Sequence, residues 1–460
     1  MAARRTMSRS DGKGALDGDA RKALAAINAE DLTALTCALI DIPSRTGEEE
    51  RCARFLVEYM RTQGLEATYQ EVDVNRGNAI GAIRGTGAGA TLLFNGHFDT
   101  SFTGIEEEDY PVTGPLPRDL RPKARVEDGI IYGLGAFNMK GGVAASVVAA
   151  CAIRKAGIRL KGDLLVTGVC GEIEKTPVEG AMRSYRGRLY SGCGFGSEWL
   201  VKHGVVADFV INEEPTGGHV SWENPGFCWF KVTVKGKHAY QSHKGAGVNA
   251  ILKAARLAQA IEAWAPEYGE RHRGELVYPN VIVSAIESGY PYKPTFVPGL
   301  CNLYVDVRLS PGQLPLQARR EFEAVLAAEK AKDPELEYDV EMYLSYPAAR
   351  TEPDAYVVQS LFRAVEAVNG NRPGKCPPEL TSYLSDSNVF RRAGIPSATC
   401  GPGAATRRRQ AFGYGAMSMR EGEYIAVDEL MTAAKIYVVA ALDICRKDRR
   451  ELGLVPGATR

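Results

Sequence analysis

The sequence is poor in histidine and has no excess of charge of either sign. It contains six histidines in 460 residues, and none of them follows His272. Any metal site must therefore take its histidine ligands from the part of the chain that ends at His272. Lysine plus arginine and aspartate plus glutamate number 56 each, so the formal net charge is zero. This balance argues against nucleic acid or an anionic membrane as an obligatory partner, because both favour a basic surface.

The sequence also lacks CxxC pairs and apolar runs long enough to span a membrane. Residues 1–14 are basic and have no apolar segment of signal-peptide length, so we expect a disordered leader there. Ten scattered cysteines without a secretory signal are typical of reduced thiols, and we expect a cytoplasmic protein. The length of the chain predicts two domains.

Three predicted buried strands end in side chains that bind metals or transfer protons. The strand ends carry His97 and Asp99, then Glu172 and Glu174, and then Glu213 and Glu214. In open α/β sheets, ligands and catalytic groups gather at the carboxyl ends of the strands. A histidine with a carboxylate close by is a candidate metal ligand, because the carboxylate orients the ring and fixes its tautomer.

The order of the predicted elements divides the chain into two domains. Strands alternate with helices over residues 15–225 and again over 347–460, which predicts an α/β catalytic domain with a mixed sheet in two parts. Residues 226–346 follow the order strand, helix, strand, strand, helix, strand. That order is typical of a ferredoxin-like α+β domain, inserted here into the first one.

Several short segments carry a family resemblance that extends from about residue 30 to 445. They are His97-x-Asp99, the stretch from Gly135 to Gly142, Glu213-Glu214-Pro215-Thr216, Gly247-Val248-Asn249-Ala250-Ile251 and Val305-Asp306-Val307-Arg308. Together they resemble the M20 family of metallopeptidases and amidohydrolases, which includes acetylornithine deacetylase, succinyl-diaminopimelate desuccinylase, aminoacylase and carboxypeptidase G2. The resemblance implies a zinc-peptidase-like catalytic domain with a two-zinc site, and an inserted lid domain that also dimerises.

The resemblance also implies roles for individual residues. It makes His97 and Glu214 metal ligands, Asp99 the carboxylate behind His97, and Glu172 the general base. Asn138 stands at the position of the bridging aspartate, where a neutral amide cannot supply two anionic oxygens. Ile173 replaces the glutamate that should follow the general base, although Glu174 could substitute for it.

The last ligand of the family pattern is missing from this sequence. It should be a histidine near Met419, and the sequence has no histidine there. We therefore expect at most one ion, zinc or manganese, or no ion at all.

The predicted lid differs from the family as well. Tyr240 stands where family members have a histidine that reaches the partner's site and stabilises an oxyanion. His238 or His243 could take over that role, and Tyr240 could itself donate a hydrogen bond to an oxyanion. Arg308 remains at the position that binds a substrate carboxylate, and Asn249 is a further candidate for substrate binding. The resemblance thus implies a small carboxylate-bearing substrate and a homodimer formed through the lid.

Three functions remain compatible with these residues. The first is a hydrolase that cleaves a C–N amide bond with a reduced or rearranged metal site. The second is a metal-independent acid/base enzyme, for example a lyase or a catalyst of ring opening or cyclisation. The third is a non-catalytic relative that binds a ligand.

Overall fold

The structure, a computed structural model, describes residues 16–180, 188–403 and 422–454. The predicted leader, residues 1–14, lies outside the described residues. The described part contains eleven α-helices: α1 (Gly18–Ala25), α2 (Ala29–Asp41), α3 (Glu50–Thr62), α4 (Glu106–Thr113), α5 (Gly141–Lys155), α6 (Phe195–Lys202), α7 (Ala250–Arg271), α8 (Pro315–Lys332), α9 (Tyr356–Asn369), α10 (Ser387–Arg392) and α11 (Val427–Cys445).

The same residues form seventeen strands. They are β1 (Glu66–Asp73), β2 (Arg76–Ile83), β3 (Leu92–His97), β4 (Arg125–Glu127), β5 (Ile130–Tyr132), β6 (Leu164–Val169), β7 (Phe209–Asn212), β8 (Glu223–Asn224), β9 (Gly226–Lys235), β10 (Ala239–Tyr240), β11 (Val281–Ser288), β12 (Phe296–Val297), β13 (Leu300–Leu309), β14 (Glu337–Tyr346), β15 (Ala349–Arg350), β16 (Ser397–Thr399) and β17 (Tyr424–Ala426).

The larger sheet has six strands in the order β1-β2-β6-β3-β7-β16. The strands β6, β3, β7 and β16 run parallel, whereas β1, β2 and β6 pair antiparallel. Helices α5 and α11 pack on one face, and α6 and α10 pack on the other. Because both faces are covered, β3 and β6 are buried along their whole length, which explains the apolar runs Leu92–Phe94 and Leu164–Val166 with which they begin. The mixed α/β fold class predicted from the sequence is confirmed.

A smaller antiparallel sheet has the strand order β11-β13-β9-β14. Helices α7 and α8 pack on one face of it around a separate apolar core. The unit begins with β9 at Gly226 and ends with β14 at Tyr346. Its opposite face is turned towards the six-stranded sheet domain and borders a cavity that both units line. We refer to residues 226–346 as the lid unit.

Helix α5 is the central helix of the larger unit. Every residue from Gly141 to Ile153 is buried. Contrary to the expectation from the sequence, one helical stretch, Ala136–Lys155, is long and apolar enough to cross a membrane, but 94% of its apolar window is buried inside the protein. Its small side chains allow close packing against α11 and against the sheet.

One helix boundary differs from the sequence-based prediction. The apolar periodicity predicts a single helix from Leu24 to Ile40, whereas the structure has two helices, α1 and α2. The Asn28 side chain accepts hydrogen bonds from the backbone N–H groups of Glu30 and Asp31, at 2.7 and 3.3 Å. This capping starts a new helix and interrupts the first one.

Candidate active site

Three parallel strands bring the predicted site residues to one edge of the sheet. His97 is the last residue of β3, Glu172 follows β6 by three residues, and Glu213 and Glu214 follow β7 directly. Since β6, β3 and β7 are neighbours, their carboxyl ends lie side by side. Gly96 leaves room for this approach, because a Cβ atom there would lie 2.4 Å from Glu213 Oε2.

The His97 ring is fully buried and connects these strand ends. Its Nδ1 atom lies 2.9 Å from the backbone oxygen of Asp99, which can only accept a hydrogen bond, so Nδ1 carries a proton. Its Nε2 atom lies 3.1 Å from Asn138 Oδ1 and 3.5 Å from both Glu172 Oε2 and Glu214 Oε1. One nitrogen, two carboxylates and one amide oxygen therefore converge on a single point.

Asp99 holds the two sides of the site together. Its carboxylate accepts hydrogen bonds from the backbone N–H groups of Glu172 and Ile173, at 2.9 and 3.1 Å, and from Thr46 Oγ1 at 2.9 Å. Burial alone would raise the pKa of Asp99, but His97 and these donors lower it to about 2. Asp99 is thus ionised and positions both His97 and the loop that carries Glu172.

The site concentrates negative charge that the described residues do not neutralise. Burial, and after it the charges of Glu214 and Asp386, raises the pKa of Glu172 well above its usual value. Burial also raises the pKa of Glu214, although the charge of His97 acts to lower it. Neither carboxylate oxygen of Glu214 has a hydrogen-bond partner within the described residues. Burial would lower the pKa of His97, but Asp99 and Glu214 raise it to about 9. A cluster of this kind requires a cation, either a proton or a metal ion.

The donor set fits one divalent ion. The ligand atoms of His97, Glu172 and Glu214 all lie within 4.8 Å of one another. Imidazole nitrogen and carboxylate oxygen are ligands of zinc, and carboxylate and carbonyl oxygens also suit manganese. His97, Glu214 and Asn138 are the residues that would hold the ion, with Glu172 beside it.

Comparison with known proteins places the chain in a family. The profile described as Peptidase family M20/M25/M40 matches residues 93–443. The chain belongs to this family. This confirms the resemblance inferred from the sequence, and it supports the prediction of a hydrolase that acts on C–N bonds.

Named relatives of this M20 chain cover most of its length. The acetylornithine deacetylase of Myxococcus xanthus is 25% identical over 379 residues, which are 82% of this chain and 86% of the relative. The succinyl-diaminopimelate desuccinylase of Methylorubrum extorquens is 27% identical over 373 residues, 78% of this chain and 88% of the relative. Among solved structures, human carnosine dipeptidase 1 is similar in fold, with a TM-score of 0.69, 15% identity and coverage of 94% and 100% of the two chains.

The sequence-based interpretation assigns Asn138 and Ile173 to ligand positions of a second ion, and the structure describes both residues. Asn138 presents a neutral amide to His97, and the Ile173 side chain is hydrocarbon and buried. The position near Met419, where the family pattern requires a histidine, lies within residues 404–421, outside the described residues. Glu174 was the predicted substitute, but it lies outside the His97, Glu172 and Glu214 group and forms an ion pair with Arg308 instead. This pairing argues against Glu174 as a ligand.

The structure does not bring the predicted lid residues to this site within one chain. Tyr240 is 54% exposed and lies against Phe296, and His238 is exposed as well. Asn249 caps α7, where its side chain accepts hydrogen bonds from two backbone N–H groups of the first turn. Their roles in substrate binding stay predictions. Arg308 borders the cavity beneath the lid unit, where two carboxylates already engage it.

Sequence reasoning missed a polar network below the site. Ser197 donates a hydrogen bond of 2.7 Å to Asp386 Oδ2, and the amide nitrogen of Asn95 lies 3.3 Å from the same oxygen. A buried ion pair of Arg76 and Glu49, 3.0 Å long, supports the opposite side. From the sequence, Asp386 could be considered only as an additional metal ligand, and its contacts with Ser197 and Asn95 gave no signal because the partners are far apart along the chain.

Proposed function

We propose that this protein hydrolyses an amide C–N bond of a small substrate, with one divalent metal ion bound by His97 and Glu214. The observation that carries the proposal is the convergence of Glu172 Oε2, Glu214 Oε1 and Asn138 Oδ1 around His97 Nε2. The family and the names of the two relatives, a deacetylase and a desuccinylase, support hydrolysis over the other candidate reactions.

In the proposed reaction, the bound ion, Glu172 and Asp99 would each have a separate role. A bound ion would lower the pKa of a water molecule and polarise the substrate carbonyl. Glu172 would accept the proton of that water and deliver it to the leaving nitrogen, which requires a carboxylate with a raised pKa. Asp99 would keep the imidazole of His97 and the backbone of Glu172 in place through its four contacts. It is therefore a positioning residue and does not touch the substrate.

The two other functions that the sequence allows, a non-catalytic relative and a metal-independent acid/base enzyme, have less support from the structure. A non-catalytic relative would gain nothing from keeping Glu172 and Glu214 buried together at one imidazole, because two neighbouring buried carboxylates destabilise the fold. A metal-independent acid/base enzyme could use the same Glu172, but it would have no need of Glu214 as a second buried carboxylate beside His97. Both alternatives remain possible outcomes of an isotope-labelling experiment.

The experiment measures hydrolysis and the origin of the new oxygen atom. Metal-loaded protein is incubated with N-acetyl, N-succinyl and N-formyl amino acids in water enriched in oxygen-18, and the released acids are analysed by mass spectrometry. We expect the label in the released carboxylate. Glu172→Gln should lower kcat by about 10²–10⁴-fold, whereas the exposed control Glu71→Gln on β1 should not. Turnover without the label, or full activity in Glu172→Gln, would contradict the proposal.

We also propose a homodimer formed through the lid unit, and a cytoplasmic location. Exposed apolar side chains on the edge strand β11 and on α7 support the dimer: Ile282 is 49%, Ile286 51% and Leu252 59% exposed. Light scattering should give twice the mass of the chain, and Leu252→Glu should reduce it. A monomeric wild-type protein would refute the proposed dimer.

The proposed cytoplasmic location rests on the cysteines. All ten lie in the described residues and form no disulfide, which agrees with a reducing compartment.

A further inference from the structure

A cavity of about 680 Å³ lies between the lid unit and the larger domain, and Arg308 of β13 is the only arginine among the described residues that line it. The loop that follows β6 contributes Glu174 and Val178 to the same lining. Glu174 follows Glu172 by two residues, so the Cα atoms of these two glutamates are at most about 7 Å apart. The cavity therefore adjoins the candidate active site.

Arg308 binds two carboxylates through different N–H groups. Its Nε donates a hydrogen bond of 2.8 Å to Asp306 Oδ2, and its Nη1 donates to Glu174 Oε1. Asp306 lies on the same strand as Arg308, and the side chain of Trp229 also donates a hydrogen bond to it. Asp306 thus orients the guanidinium from within the lid unit, whereas Glu174 reaches it from the larger domain.

Glu174 is the partner that can leave Arg308 more easily. Its side chain is 27% exposed, compared with 12% for Asp306. Within the described residues, the Glu174 carboxylate has no second hydrogen bond or ion pair. Water can therefore solvate Glu174 when it moves away from the guanidinium, whereas Asp306 has less access to water.

A second contact joins the same loop to the lid unit. Lys231 Nζ of β9 donates hydrogen bonds of 2.9 Å to the backbone oxygens of Glu179 and Gly180. This contact does not involve Arg308. The loop therefore stays attached to the lid unit when Glu174 leaves Arg308.

The charges at Arg308 favour exchange of a carboxylate over addition of one. With Glu174 bound, one guanidinium faces two carboxylates, and the formal charge of the group is minus one. A third carboxylate would make it minus two and would be repelled. A carboxylate that displaces Glu174 leaves the charge unchanged, and it gains the guanidinium end with Nη1 and Nη2, which suits two parallel hydrogen bonds.

We propose that Glu174 is an internal competitor of a substrate carboxylate, which occupies Arg308 in the free protein and is displaced when the substrate binds. The inference rests on the proposed function and adds a specificity-determining residue to it. A substrate without a carboxylate gains nothing at Arg308, because Glu174 stays there. For a substrate with a carboxylate, the competition reduces the apparent affinity in proportion to the fraction of molecules in which Arg308 is free.

The test compares two ligands of nearly the same shape, N-acetyl-L-norleucine and its primary amide, of which only the first has a carboxylate. Dissociation constants are measured by calorimetry with metal-loaded protein in which Glu172→Gln prevents turnover. Adding Glu174→Gln should lower the dissociation constant of the acid about tenfold, which corresponds to Arg308 being occupied by Glu174 in about nine of ten molecules. The dissociation constant of the amide should not change.

A matched control removes one charge from the same loop. Glu179 is exposed and lies outside the cavity lining, so Glu179→Gln should leave both dissociation constants unchanged. Glu174→Ala is a second variant without the carboxylate, and it should strengthen binding of the acid as Glu174→Gln does. Two variants are used so that misfolding of one does not prevent the test.

The outcomes separate this inference from the proposed function. Unchanged, weaker or absent binding of the acid in the Glu174 variants would overturn the inference. An equal change for acid and amide would also overturn it, because the ion pair would then only join the two domains. If the variants bind the acid more tightly but the metal-loaded protein with Glu172 intact hydrolyses no amide, the proposed hydrolysis fails and the role of Glu174 stands.

Discussion

The number of metal ions per chain is the most direct test of the active-site geometry. His97, Glu172, Glu214 and Asn138 place four donor atoms around one point, with Nε2 distances of 3.1 to 3.5 Å. A second ion would lie about 3.5–4 Å away and would need a bridging carboxylate. At the two positions that the family pattern gives to such ligands, this sequence has the neutral Asn138 and the hydrocarbon Ile173. We therefore expect one zinc or manganese ion per chain.

The perturbation is His97→Ala, which removes the central nitrogen and leaves Glu214 and Asn138. Elemental mass spectrometry should show the content falling from about one ion to below about 0.1 per chain, because catalytic zinc sites generally need three protein ligands. His203→Ala is the matched control, since His203 is exposed on the end of α6 and lies against Trp199. Its metal content should equal that of the wild-type protein.

The same ion should stabilise the fold. At a free concentration 100 times the dissociation constant, an ion that binds only the folded state adds about 2.7 kcal/mol to the free energy of unfolding. We expect the thermal midpoint to rise by several degrees in the wild-type protein and in His203→Ala, and not to change in His97→Ala. Two ions per wild-type chain, no ion after incubation with metal, or an unchanged content in His97→Ala would refute this account of the site.

Three further predictions concern residues around the site. Asp99→Asn should weaken metal binding about 10- to 100-fold in a chelator competition, because it disturbs the orientation of His97 and the two backbone N–H bonds; unchanged affinity would contradict this role. Arg76→Met should lower the free energy of unfolding by about 3–5 kcal/mol, since it leaves Glu49 buried without its partner, and a loss below 1 kcal/mol in a denaturant titration would be evidence against that pairing. Asp306→Asn should gain stability relative to the wild-type protein as pH rises from 4 to 7. The pKa of Asp306 is raised from 3.8 in the unfolded chain to about 6 in the fold, so its stabilising contribution is present below pH 4 and is lost as pH rises through 6. The loss is about 3 kcal/mol by linkage, and parallel pH profiles of the thermal midpoint would refute it.

Much of the fold could be predicted from local pattern. The apolar runs predict the strand Leu164–Val169 and the helix Val427–Cys445 with the bounds that the structure has. The sequence pattern also predicts strands over 227–234 and 338–343, and the observed β9 and β14 differ from these bounds by one to three residues at each end. Such patterns are informative because a strand buried on both faces must be apolar throughout, and because a helix repeats its buried side every three to four residues. The sequence alone therefore determined the order of the elements and the family.

The sequence alone also determined which chemical groups stand at the strand ends. His97, Glu172 and Glu214 follow β3, β6 and β7, and parallel neighbours place these ends together. Because no histidine follows His272, the sequence alone shows that residues 273–460 cannot supply a histidine ligand. These conclusions depend on residue identity and on the order of the elements, which the sequence supplies.

Only the tertiary structure decided which side chains are partners. Glu174 and Arg308 are 134 residues apart, and Asp99 is 73 residues from the backbone N–H of Glu172. Glu174 followed the predicted pattern of a ligand, yet the structure pairs its carboxylate with the guanidinium of Arg308 in the lid unit. Asn249 is a local example. The sequence made it a candidate for substrate binding, whereas in the structure its side chain caps the start of α7. Pairing depends on distances between elements that are remote in sequence, and the packing of the two domains sets those distances.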